Sequence, residues 1–136
     1  MRGVMRGWAR RNSLWILPFG TTCCAADLTV AFGPEHDLGR LGASVVHDPA
    51  LADVLIVAGR VTRALAPDLR QLYNSMHAPK GVIAFGSCAC TGGAWIGEEV
   101  PGGADFVIPV DAYVPGCPPP PEALYDALAR VARHFV

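Results

Sequence analysis

Apolar residues in this chain come in short unbroken runs, separated by stretches where they recur at every third or fourth position, a pattern that alternates strand and helix. Leu14-Trp15-Ile16-Leu17, entered through Ser13, is the first expected strand, closed by Pro18 and Gly20. A short helix is expected from Cys24 to Phe32, and another from Asp37 to Leu41 ahead of Gly42. Ala43-Ser44-Val45-Val46 and Val54-Leu55-Ile56-Val57 have strand length and β-branched content, and both are expected to be fully buried, as parallel strands are. Thr62 to Met76 carries Leu65, Leu69, Leu72 and Met76 on one stripe, and Pro67 marks a break or a fresh start within it. Gly81-Val82-Ile83-Ala84-Phe85 is the fourth strand, Phe106-Val107-Ile108 the fifth, and Pro121 to Val136 the closing helix. Alternation on this scale implies an α/β fold with a parallel, doubly wound sheet. Residues 1–136 form one expected domain, with 1–12 as an extended or flexible lead-in.

Composition narrows the partners. Hydrophobic residues make up 51% of the 136 positions and charged ones 17%, enough to bury a core. The formal net charge of -1 gives no electrostatic reason to expect nucleic acid or an anionic membrane as a partner. So little charge suggests instead that part of the apolar surface is covered by other proteins. Arg10-Arg11 precedes only six apolar-run residues, Leu14 to Phe19, too few for an export leader. Pro18, Gly20 and Asp27 interrupt the stretch to Gly33, so no membrane span is expected there.

The chemistry lies in the cysteines. Cys23 and Cys24 are adjacent, Cys88 and Cys117 sit in glycine- and proline-rich loops, and Cys90 makes an odd fifth. Neighbouring cysteines would close a strained disulfide ring, whereas four thiolates are the ligand set of an iron–sulfur cluster. In an open parallel sheet, ligands bind beyond the carboxyl ends of the strands. Cys23-Cys24 follow the first strand, Cys88 the fourth, and Cys117 the fifth, so all four are expected to converge on one edge. Glycine next to each lets backbone approach a bulky cluster. Zinc is disfavoured by the lack of a C-x2-C spacing, and Cys90 reads more readily as a small buried side chain than as a fifth ligand.

Over nearly its whole length the chain then resembles the 20-kDa, PSST-type subunit family of respiratory complex I (NADH:quinone oxidoreductase). The resemblance rests on Trp8 to Trp15, Phe19-Gly20-x-x-Cys23-Cys24-Ala25, Ala52 to Gly59, Gly86-Ser87-Cys88-Ala89 with Gly92-Gly93, and Val107 to Pro119. It implies a flavodoxin-like fold and one 4Fe-4S cluster held by Cys23, Cys24, Cys88 and Cys117. It also implies electron transfer to quinone, at an interface shared with a 49-kDa-type (hydrogenase-large-subunit-like) subunit. A ferredoxin-like iron–sulfur subunit and membrane arm subunits would complete the complex, on the cytoplasmic face of the plasma membrane. The chain would act only as a subunit of a multi-subunit oxidoreductase, without catalysis of its own. The related small subunits of group 4 nickel-iron hydrogenases are the alternative; they usually separate the first two ligands, where this chain has them in tandem. Departures from the complex I pattern occur at Ala26-Asp27-Leu28-Thr29, at Glu35-His36-Asp37 and at Pro120.

Other residues carry weaker expectations. Asp27 would lower the potential of a cluster if it pointed inward, or would simply solvate a helix. His36, beside Asp37, is the one histidine placed for proton handling, and His134 suits a helix C-terminus. Trp8, Trp15 and Trp95 are expected as interface or core anchors. Arg40, Arg60 and Arg63 either pair with acids on a partner or are solvated.

Overall fold

The computed structural model describes residues 5, 8–9, 13–20, 23–34, 38–77, 79–117 and 119–133. Five strands form its sheet: β1 (Leu14–Gly20), β2 (Ala43–Val45), β3 (Val54–Ala58), β4 (Gly81–Phe85) and β5 (Ala112–Val114). All pairings are parallel, in the order β2-β1-β3-β4-β5, the strand order of flavodoxin-like folds, in which the topological switch falls between β1 and β3. Among the described residues four helices cover it: α1 (Cys23–Ala31), α2 (Ala66–Ser75), α3 (Ser87–Thr91) and α4 (Ala123–Ala132).

Side chains alternate across the central strands and so divide the core in two. On one face Ile16, Val54, Ile56, Ile83, Phe85 and Val114 pack with Leu28 of α1 and with Leu124, Leu128 and Val131 of α4. On the other, Leu17, Leu55, Val57, Val82 and Ala84 meet Leu69 of α2 and Ala89 and Cys90 of α3. Leu55, Ile56, Ile83 and Phe85 are fully inaccessible, and burial of each contributes about 1.5–3 kcal/mol. α2 starts afresh at Ala66 with Pro67 in its first turn, where a missing N–H costs nothing. Lys80 closes its other end, its ammonium donating to the carbonyls of Tyr73 and Met76.

At the amino end of the sheet two aspartates repeat one device. Asp53, just ahead of β3, accepts from the Trp15 amide of β1 at 3.1 Å. Asp111, just ahead of β5, accepts from the Val82 amide of β4 at 2.8 Å. Each carboxylate therefore ties the start of one strand to the second residue of its neighbour.

The structure corrects several expectations. Pro18 does not end β1, which runs on to Gly20 paired with β3. The Ile16 carbonyl accepts from Val46 on the β2 side; Pro18, two residues on, faces that same side beyond the end of β2, where its missing N–H breaks no ladder bond. The proline ends a pairing, not a strand. β2 is not fully buried, since as an edge strand it exposes Ser44 and Val45. Phe106-Val107-Ile108 is not a strand. Ala104–Phe106 is a 3-10 turn, held because Gly103 packs where a Cβ would stand 2.4 Å from the Cys90 carbonyl oxygen, and three apolar residues cannot by themselves distinguish strand from turn. The fifth strand is Ala112–Val114. Ahead of β1, the described residues Met5, Trp8 and Ala9 are helical and exposed.

Candidate functional site

The carboxyl ends of β1, β4 and β5 each run into a cysteine-bearing turn. α1 opens with Cys23 and Cys24, and it docks close to the end of β1 because Gly20 has no Cβ; one built there would lie 2.5 Å from Ala25 Cβ. The Cys24 thiol is buried on the α1 and α4 face of the sheet. The side chain of Cys23 lies outside the described residues, as do Thr21, Thr22, Glu35, His36, Asp37, Pro118 and His134.

β4 turns into α3 through Gly86, whose φ of 97° disfavours any residue with a Cβ. The turn also brings this glycine against Cys24, since a Cβ at Gly86 would sit 2.5 Å from Cys24 Sγ. Cys88, in the first turn of α3, is buried with its sulfur beside Gly93, where a Cβ would stand 3.3 Å away. Three hydrogen bonds then join this loop to the one carrying Cys117. The Gly86 amide donates to the Val114 carbonyl at 2.7 Å and the Ser87 amide to the Gly116 carbonyl at 2.8 Å. The Gly116 amide donates to Ser87 Oγ at 3.1 Å. Cys117 follows directly and is exposed.

The structure thus brings together Cys24, Cys88 and the turn ahead of Cys117, three segments far apart in sequence. Cys24, Cys88, Cys90 and Cys117 are all outside disulfides. Cys90 belongs elsewhere: its thiol donates to the Ala84 carbonyl and lies in the core on the opposite face from Cys24. Burial pushes the Cys90 thiol above its ordinary pKa, a backbone bond to Val114 partly offsets this, and the negative charge of Asp105 adds a lesser upward push. It stays protonated, as suits a small core residue. Among the described residues, no three His, Cys, Asp or Glu side chains gather closely enough to hold a single metal ion.

The residues at the points of departure divide. Leu28 turns into the core, Asp27 is half-buried, and Ala26 and Thr29 are exposed. Pro120 is exposed ahead of α4, its carbonyl accepting from the Ala123 amide. All three tryptophans are exposed, so none is a core anchor; Arg60 lies over the Trp95 ring at 4.4 Å. Arg63 is not merely solvated, because its Nε donates to the Glu98 carbonyl. Ser87 is not among the residues expected at the site, although it stands between Gly86 and Cys88; a small hydroxyl residue at the first position of a helix was the available signal.

Residues 22–131 match the family described as NADH ubiquinone oxidoreductase, 20 Kd subunit. The B-type subunit of the NADH-quinone oxidoreductase of Nocardioides sp. is 48% identical over 128 residues, covering 93% of this chain and 70% of that protein. Its counterpart in Bdellovibrio bacteriovorus is 46% identical over 127 residues, with 93% and 68% covered. Among solved structures, a chain of the membrane-bound sulfane sulfur reductase, an archaeal respiratory membrane complex, superposes with a TM-score of 0.89 at 32% identity, covering 99% of this chain and 76% of that one. A chain of an NAD+-reducing NiFe hydrogenase in the H2-reduced state shares the fold, with a TM-score of 0.62 at 18% identity over 85% of this chain and 91% of the other. The matched relatives are subunits of multi-subunit oxidoreductases, and the chain belongs to the NADH ubiquinone oxidoreductase 20 Kd subunit family.

Proposed function

We propose that this chain is an electron-transfer subunit of a membrane-associated NADH or ferredoxin:quinone oxidoreductase, in which Cys23, Cys24, Cys88 and Cys117 hold one 4Fe-4S cluster. The observation that carries the reading is the approach of Cys24 Sγ to Gly86, which sets Cys24 beside the loop of Cys88. The donor set supports it as well: Cys24, Cys88 and Cys117 are outside disulfides and each is near a glycine with positive φ. Iron–sulfur binding is typical of the family. When bound, such a cluster takes up and releases one electron at a time. The protein holds two of the thiols away from water and leaves Cys117 at the surface, where a 49-kDa-type subunit would cover it and share a quinone site. A ferredoxin-like subunit would supply electrons, and membrane arm subunits would anchor the assembly at the cytoplasmic face of the membrane. No helix among the described residues is long and apolar enough to cross a membrane, which accords with peripheral attachment.

The test is iron and sulfide analysis, with EPR of the reduced state, on the anaerobically purified complex containing this chain. Four irons assigned to this chain, lost on Cys88→Ala, are expected; a complex whose iron content and EPR are the same with and without Cys88 would sink the reading. A second acceptor is favoured by the 0.89 superposition on the sulfane sulfur reductase chain and by the exposed departures Ala26 and Thr29. Turnover of the same complex with a quinone, with sulfane sulfur or with protons as acceptor separates the readings.

A further inference from the structure

Ser87 joins two of the cysteine loops. Its backbone amide donates to the Gly116 carbonyl at 2.8 Å, and its Oγ accepts from the Gly116 amide at 3.1 Å. Both polar groups of Gly116 are thereby held by one residue. Gly116 needs that hold, because it is kept at a φ of 147° with Pro119 packed against it; a Cβ there would lie 2.6 Å from Pro119 Cα. The clasp therefore sets where Cys117 leaves its turn relative to Cys88, the residue next to Ser87. A hydroxyl that accepts one bond still has its own hydrogen to give, and among the described residues that hydrogen goes to no protein group.

The geometry points to Ser87 as a positioning residue for the cysteine site, one that fixes the spacing of Cys88 and Cys117 and offers its hydroxyl hydrogen to sulfur at that site. This rests on the cluster reading above. Hydrogen bonds to cluster sulfurs help set the potential, and since the reduced form carries more negative charge, a donor stabilises it and raises the potential. Thr29 and Thr91 are excluded from the same role, because their hydroxyls donate back to carbonyls of their own helices, at Ala25 and Ser87.

The experiment compares wild type, Ser87→Ala and Ser87→Thr in the anaerobically purified complex, by iron and sulfide content, EPR line shape and redox titration. Ser87→Ala is expected to shift the midpoint potential downward, alter the EPR signal and lose iron faster to a chelator, and Ser87→Thr to restore all three. An alanine variant with the wild-type potential and line shape overturns the inference. If that variant purifies without iron, the threonine variant decides: a wild-type potential supports the hydroxyl, and equal depletion overturns it. Wild type without iron overturns the cluster reading itself, and the inference with it.

Discussion

The two ends of the sheet are built from different chemistry. At the amino end, Asp53 and Asp111 tie neighbouring strands through side-chain to amide bonds. At the carboxyl end, Gly86 and Gly116 take backbone angles that disfavour other residues, and the Cys24 thiol and Pro119 take the space their missing Cβ atoms leave. Glycine is used at both ends, since Gly42 ahead of β2 also has a positive φ; what differs is that the amino end ties strands through carboxylates, while the glycines of the carboxyl end make room beside cysteines. On the proposed reading one end serves stability and the other the cluster, so substitutions should separate the two by their readouts.

The largest effect is expected from Cys88→Ala, which should abolish the EPR signal assigned to this chain and its electron transfer while leaving the secondary structure seen by circular dichroism intact. Gly86→Val comes next. It places a side chain where a Cβ already meets Cys24 Sγ at 2.5 Å, on a backbone costing about 1–3 kcal/mol for a residue with a Cβ, so iron loss and a lower denaturation midpoint should appear together. Asp111→Ala should cost about 1–2 kcal/mol by denaturant titration, from the unsatisfied amide of buried Val82, with the EPR spectrum unchanged. A spectrum altered by Asp111→Ala would erase the contrast between the ends.

The smallest effect concerns Tyr113, whose pKa is raised by desolvation and by Asp105, the acceptor of its hydroxyl hydrogen. A raised folded-state pKa means that this bond's contribution is present below the ordinary tyrosine range and lost as pH rises through the folded value. Asp105→Asn should therefore move the Tyr113 ultraviolet titration to lower pH, and an unmoved titration would dismiss the interaction.

Much of the fold was legible along the chain. β3 and β4 stood out as apolar runs, and α2 as a stripe restarted at Pro67, because burial on both faces or on one stripe writes itself into composition and period. β5 was misplaced by a few residues, since Phe106-Val107-Ile108 and Ala112-Tyr113-Val114 are equally short and apolar. Pairing with β4 settled which of them is the strand. Pro18 was misjudged for a related reason: whether a proline ends a strand depends on which neighbour its nitrogen faces.

Local composition and spacing were enough to dictate the alternation of strand and helix, the all-parallel character of the sheet and the thiol content of its loops. Each of these is written within a window of a few residues. That Cys24 meets Gly86, that Cys90 turns to the opposite face, and that Ser87 clasps Gly116 emerged only when the chain was folded. Such contacts join residues remote along the chain, and strand order and register set their distances, which no short window of residues encodes.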